Sequence, residues 1–326
     1  MKKILVIRFS SIGDIVLTTP VVRCLKNQLK DIELHVLTKK KFSNLYKRNP
    51  YVDKVFEFDN SIKDNIRELK TENYDYIVDL QKNKRSKRVT ASLRCPYSSF
   101  PKLNFKKFLL ATFKINLMPD IHIVDRYFEA VKDLGVKNDF KGLDFFISHE
   151  NQYDITELPS GFQNGYHAFV IGGTYKTKIL PAVKIVEVIK KLDEPVVLLG
   201  GPDDIERADE VLSSVNENVV SLVGKINLEQ SASLVKMSKS VLTNDTGLMH
   251  IAAAFHKNIV SVWGNTVPEL GMYPYLPNED EKCHIVECKD VKCRPCSKLG
   301  FKECPRKHFR CMMEIDTDAV VERLRK

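Results

Sequence analysis

Arg8-Phe9-Ser10-Ser11-Ile12-Gly13-Asp14, directly after the apolar run Ile4 to Ile7, is one strand-to-helix junction of this chain. Thr243-Asn244-Asp245-Thr246-Gly247-Leu248-Met249-His250, after Val241 and Leu242 and before Ile251-Ala252-Ala253-Ala254, is a second, far along the sequence. Each places backbone N–H groups, hydroxyls and a carboxylate at a helix start, where the dipole is positive and an anion can be held. Two such junctions in one chain suggest two domains facing a shared cleft.

Outward from these junctions, short apolar runs alternate with helix-period segments, the pattern of parallel sheets with crossover helices. Strands are predicted at 3–9, 33–38, 54–58 and 76–80, with helices at 15–29, 41–47, 62–69, 84–93, 105–112 and 122–134. Between Asp139 and Tyr166 the periodicity lapses, and Pro159, Gly161 and Gly165 mark a linker. Alternation resumes with strands at 168–171, 196–199, 219–223, 240–243 and 259–263, and helices at 182–192, 205–214, 228–238, 248–255 and 317–325. With 326 residues, the chain suits two α/β domains of roughly 150 residues each. The expected division is 1–160 and 161–326, and the last helix could pack back on the first domain.

Neither half carries Gly-x-Gly-x-x-Gly after its first strand: the first has Ser10-Ser11-Ile12-Gly13 and the second Gly172-Gly173-Thr174-Tyr175. That argues against a nicotinamide or flavin dehydrogenase, and the missing Walker pattern argues against a P-loop ATPase. No apolar stretch approaches the ~20 residues of a membrane span, and the run after Lys2-Lys3 is broken at Arg8, too early for a secretory signal. The expected location is the cytoplasm.

Charge is divided unevenly. Residues 1–150 carry 29 Lys and Arg against 18 Asp and Glu, while residues 151–326 carry 22 against 24. The densest part is Lys82-Asn83-Lys84-Arg85-Ser86-Lys87-Arg88, followed by Lys102, Lys106 and Lys107. This points to an anionic partner such as a phosphorylated lipid headgroup or nucleic acid, with a solvated helix face as the plainer alternative.

Two motifs resemble a known family. Arg8-Phe9-Ser10-Ser11-Ile12-Gly13-Asp14-Ile15-Val16-Leu17-Thr18-Thr19-Pro20 is similar to the N-terminal signature of glycosyltransferase family nine, the ADP-heptose:lipopolysaccharide heptosyltransferases. Asn244 to Ala254, followed by Val262-Trp263-Gly264-Asn265-Thr266, resembles its C-terminal signature. The resemblance implies a GT-B fold: two Rossmann-like domains around a central cleft, the first binding acceptor and the second a nucleotide sugar. It also implies an inverting, metal-independent transfer of heptose from ADP-heptose to the lipopolysaccharide inner core, with no cofactor.

By that resemblance Asp14 is the catalytic base that takes the proton of the acceptor hydroxyl; a helix N-cap is the alternative for an Asp in this setting. Ser10, Ser11 and Gly13 would shape the turn and bring N–H groups near a phosphate. Thr246 and Gly247 suit a pyrophosphate through a hydroxyl and close backbone approach, and His250, one turn on, lies on the same helix face. Asp245 matches the position that contacts the transferred sugar, or is an N-cap only. Lys178 matches the lysine near the departing diphosphate, where an ammonium binds growing charge. Thr174 joins the substrate-binding set. In Gly200-Gly201-Pro202-Asp203-Asp204-Ile205-Glu206, a carboxylate could take the ribose hydroxyls or be a solvated acid of a helix first turn; Glu206 is preferred to Asp204.

Cys293-x2-Cys296-x7-Cys304-x6-Cys311 offers four thiolates for a structural zinc, with reduced or partly buried thiols as the preferred reading and no metal among the site residues. Two rivals remain. A GT-B epimerase or hydrolase would use the same donor pocket without an acceptor, and a transferase of this kind could use another nucleotide sugar. A nucleic-acid-binding protein would use Lys82 to Arg88, but aromatic interleaving and helix-turn-helix or zinc-finger spacing are missing, so no nucleic-acid partner is expected. The basic residues of the first domain are instead expected to meet a lipopolysaccharide core and, peripherally, the anionic inner-membrane surface.

Overall fold

A computed structural model describes residues 1–215 and 217–326. They form two compact units, Met1–Lys102 with Ile121–Phe146, and Leu103–Asp120 with Ile147–Lys326.

The first unit is built on five parallel strands, β1 (Lys2–Ile7), β2 (Ile32–Lys39), β3 (Lys54–Phe58), β4 (Tyr76–Asp79) and β5 (Tyr97–Ser99), in the order β3-β2-β1-β4-β5. Ile4, Leu5, Val6 and Ile7 are buried in succession, as a central strand covered on both faces requires. Leu5 and Ile7 share one core with Leu37, Phe56, Ile77 and Val89. The helix predicted over 15–29 is two, Ile12–Val16 and Thr19–Gln28. Pro20 lacks an N–H and restarts the helix, and the hydroxyls of Thr18 and Thr19 donate to the carbonyls of Ile15 and Val16 at the break, both at 2.7 Å. The segment predicted over 122–134 likewise stops at Phe128, followed by a 3-10 turn Lys132–Leu134.

The second unit has six parallel strands, β6 (His167–Val170), β7 (Val196–Leu199), β8 (Val219–Ser221), β9 (Ser240–Asn244), β10 (Asn258–Trp263) and β11 (Cys283–Glu287), in the order β11-β10-β9-β6-β7-β8. The helix Ala182–Leu192 buries Ile185, Val188, Ile189 and Leu192, the spacing of one helical stripe, against a core with Phe169, Leu198, Leu242 and Val260. Val320, Val321 and Leu324 of the final helix, Thr317–Leu324, join the same core, so that helix packs within its own unit. The helix Asn104–Phe113 belongs to this unit as well, through the apolar contact of Leu110 with Val267 and Leu270. Lys106 and Lys107 therefore belong to the second unit, and the basic run Lys82 to Arg88 to the first.

Strands β5 and β11 were not predicted. The first is three residues long with Tyr97 exposed, and the second lies within a stretch dominated by cysteines and charges. Among the described residues no helix is long and apolar enough to cross a membrane.

Candidate active site

In open parallel sheets ligands bind beyond the C-terminal strand ends where strand order reverses. In the first sheet this point lies between β1 and β4, and in the second between β6 and β9. The two junctions singled out in the sequence, Arg8–Asp14 after β1 and Asp245–His250 after β9, occupy one such point each.

In the first unit, Ser11 is the N-cap of the helix Ile12–Val16 and Asp14 is its third residue, so the N-cap alternative for Asp14 does not hold. One carboxylate oxygen of Asp14 accepts from the Ser11 N–H at 3.0 Å and from the Ser11 hydroxyl at 2.9 Å. The other lies 2.5 Å from a terminal nitrogen of Arg8. Arg8 is itself buried and fixed by the Leu80 carbonyl at 2.5 Å, the Tyr127 hydroxyl at 3.1 Å and the Ser10 carbonyl at 3.1 Å. Burial alone would raise the Asp14 carboxyl, but the Arg8 guanidinium and the two Ser11 donors outweigh it and hold it below the ordinary aspartate value. Gly13 is buried in the first turn and Ser11 is exposed.

Beside this turn is a cavity of about 320 Å³ lined by Phe9, Ser10, Lys39, Gln81, Asn83, Lys84 and Arg85. Three cations and no acid line it. Its wall is held by Asp79, whose oxygens accept from the N–H groups of Gln81 (3.0 Å) and Lys82 (2.8 Å) and from the Ser86 hydroxyl (2.7 Å).

In the second unit Lys178 and Asp245 meet at 2.5 Å, and the Thr266 hydroxyl donates to the same Asp245 oxygen at 3.1 Å. Thr246, not Asp245, is the N-cap of the helix Gly247–Ala254. Its side chain makes no capping bond, unlike Asn83 and Asn227 at the helices Lys84–Leu93 and Leu228–Met237, and a helix start of this kind suits an anion. His250 is buried one turn on. Gly172 passes so close to Asp204 that a Cβ would lie 2.1 Å from its carboxylate, and a Cβ on Gly173 would press on Ile179 and Thr246. Thr174 is exposed beyond them. Asp204 is buried and engaged by the Gly201 N–H (3.0 Å) and Arg207 (2.9 Å), while Glu206 is exposed in the first turn of the helix Ile205–Leu212.

Sequence reading assigned no role to three residues that hold these loops. Asn244 donates to the carbonyls of Val170 (3.3 Å) and Gly172 (3.2 Å) and accepts from the Leu180 N–H (3.0 Å), tying together the strand ends at the switch point. Thr266 anchors Asp245. Arg294 reaches the carbonyls of Gly264 (2.5 Å), Trp263 (3.1 Å), Thr266 (3.2 Å) and Cys288 (2.8 Å) and pairs with Glu287 at 2.7 Å, bracing the loop that carries Thr266. Asn244 and Thr266 were within the quoted motifs; Arg294 had only its place in the cysteine-rich tail as a signal.

That tail also binds the Lys178 loop, through the Phe301 N–H to the Thr177 hydroxyl at 2.8 Å and that hydroxyl to the Phe301 carbonyl at 3.1 Å. Burial pushes the Cys296 thiol up to about 12, with Cys293 adding to the effect, and burial pushes Cys311 up to about 11. Cys293 Sγ lies 3.7 Å from His308 Nε2. Among the described residues no three His, Cys, Asp or Glu side chains converge as a metal ion would require.

Two Rossmann-type parallel sheets, each with a polar site at its switch point, are the architecture of the GT-B fold. Residues 63–302 match glycosyltransferase family 9 (heptosyltransferase), and the chain belongs to that family. The matched span holds Lys178, Glu206 and Asp245 to His250 and begins after Asp14. Lipopolysaccharide heptosyltransferase 1 of Campylobacter coli is 26% identical over 293 residues, covering 81% of this chain and 84% of that protein. Lipooligosaccharide heptosyltransferase 2 of Campylobacter jejuni is 23% identical over 324 residues, covering 95% and 93%. Among solved structures, the E. coli ADP-heptose LPS heptosyltransferase II superposes with a TM-score of 0.74 at 21% identity, covering 100% of this chain and 98% of that one. The E. coli heptosyltransferase WaaC with ADP gives 0.68 at 22% identity, covering 98% of each.

Proposed function

We propose that this enzyme transfers a heptose, with inversion, from ADP-heptose to the lipopolysaccharide inner core. The observation that carries the reading is the Lys178–Asp245–Thr266 cluster beside the uncapped start of the helix Gly247–Ala254. A lysine, a hydroxyl and helix N–H groups in one place suit a diphosphate, and the family and its named relatives support ADP-heptose as the donor.

In the reaction an acceptor hydroxyl attacks the anomeric carbon as the sugar–phosphate bond breaks. The electron pair leaves on ADP, and the hydroxyl proton passes to Asp14, which its pairing with Arg8 keeps ionised. Lys178, Thr246 and the N–H of Gly247 bear the charge that grows on the diphosphate. As the diphosphate draws the Lys178 ammonium away, Asp245 is released toward the heptose hydroxyls, with His250 behind it. Glu206 takes the ribose hydroxyls, since the Asp204 carboxylate is already engaged. Ser10, Ser11 and Gly13 form the acceptor-side turn, Thr174 the donor-side lip, and Lys39, Lys84 and Arg85 take acceptor phosphates. The same cations favour peripheral contact with the anionic inner surface of the cytoplasmic membrane.

The test is a thermal-shift series with ADP, UDP and GDP, followed by mass spectrometry of an inner-core acceptor incubated with ADP-heptose. ADP should raise the melting temperature most, because at equal concentration a ligand that binds only the folded form stabilises it by an amount that grows with affinity, and the acceptor should gain one heptose. Epimer or free heptose formed from donor alone, with no acceptor product, would overturn the assignment.

A further inference from the structure

The helix Asn104–Phe113 and the stretch after it carry an apolar face left exposed among the described residues. Phe105, Phe108, Phe113, Ile115 and Leu117 are each 50 to 71% exposed. Phe108 and Phe113 stack edge to face at 5.9 Å, so these two rings form one apolar surface, with Phe105 exposed one turn before Phe108 on the same helix face. The opposite side is anchored through Leu110 to Val267 and Leu270, and Lys114 ties the helix end to the Pro295 carbonyl at 2.6 Å. This fixed mounting presents the aromatic face outward. Lys106 and Lys107 lie on the same helix, and there is no Asp or Glu from Leu103 to Pro119.

We infer that this face is a membrane-docking element that inserts its aromatic side chains into the interface of an anionic lipid bilayer. The chemistry is that of an interfacial amphipathic helix: aromatic and aliphatic residues enter the headgroup–acyl boundary while lysines meet lipid phosphates. A protein partner would be served by the apolar patch alone. The acid-free lysine flank adds charge complementarity to phospholipid, which selects the bilayer. The inference rests on the transferase reading only in that an enzyme acting on a membrane-borne acceptor gains from such an anchor. It assigns the role to a segment of the second unit, whereas the basic cavity is lined by residues of the first.

The experiment is flotation of the full chain with vesicles of phosphatidylethanolamine containing phosphatidylglycerol, against vesicles of phosphatidylcholine alone. Wild type should float with the anionic vesicles and not with the neutral ones. Phe105→Ser/Phe108→Ser should lose at least tenfold in bound fraction, and Lys106→Glu roughly tenfold, as expected for reversing one charge near the surface. Each variant should keep the wild-type melting temperature, since the substituted side chains are exposed, and its rate of transfer to a water-soluble, deacylated core fragment. Loss of that soluble transfer in wild type would count against the transferase reading alone. Equal flotation of wild type and the double Phe variant would overturn the docking proposal. So would a wild-type dimer that the double variant converts to monomer without vesicle binding, because a second copy would then be what covers the face.

Discussion

At the residue scale, the proposed role of Asp14 as base turns on its pairing with Arg8. A base with a depressed pKa is a weaker proton acceptor but is ionised across the neutral range, and in a concerted transfer full ionisation matters more than basicity. Asp14→Asn should lower kcat by about 10² to 10⁴-fold while the ADP-induced thermal shift, which depends on the other unit, stays as in wild type. An unchanged kcat would remove Asp14 from the chemistry. The pH dependence follows from the same contacts. Because the folded value lies below the ordinary 3.8, the pair's contribution to stability is complete above that pH and is lost as pH falls through the folded value. Arg8→Gln removes the main force holding the carboxyl down, so burial prevails and the Asp14 value rises. The acid limb of kcat should then move to higher pH, and a limb that stays in place would show that Arg8 does not set the ionisation.

At the scale of elements, most of the fold was legible where one signal acted alone. Val196–Leu199, Lys84–Leu93 and Ala182–Leu192 fall where apolar runs or helical periodicity put them. The split at Leu17 and Thr18 was hidden because apolar periodicity runs through it and only Pro20 marks the restart. Of the candidate site, Asp14, Lys178 and Asp245 to His250, whose roles stand as proposals, were singled out by motif spacing. Their supports were not, because Asn244 and Arg294 act by satisfying distant carbonyls, which local sequence does not encode. This makes the cysteine-rich tail a brace for the donor loops. Arg294→Ala would leave the Glu287 carboxylate buried without its cation and strip donors from several carbonyls, a loss of about 3–5 kcal/mol. Calorimetry should show a melting temperature lowered by several degrees, and titration a weaker ADP affinity. Arg294→Lys should not restore either, since one ammonium cannot reproduce the planar fork. Thr266→Val removes only the hydroxyl on Asp245, so it should cost about 1 kcal/mol and weaken donor use with little change in melting. If Arg294→Ala melts like wild type, the brace does not exist.

At the scale of the whole molecule, charge is sorted by unit. The first carries 26 Lys and Arg against 16 Asp and Glu, and the second 25 against 26. The proposed donor groups in the second unit are shielded: the side chains of Lys178 and Asp245 are 16% and 12% exposed, so a diphosphate held by Lys178 would be little affected by salt. The cations around the first unit's cavity act in a more open field. Ions at 0.3 M screen beyond about 6 Å, against about 14 Å at 0.05 M. Raising salt across that range should therefore increase the KM for a phosphorylated core acceptor several-fold and leave the KM for ADP-heptose within about twofold. Lys84→Glu/Arg85→Glu should flatten the acceptor dependence without touching the donor constant. Steady-state kinetics at fixed pH, varying each substrate in turn, separates the two. Equal salt sensitivity of both constants would mean that the charge division reflects solubility, and that the acceptor is recognised by hydrogen bonds and shape.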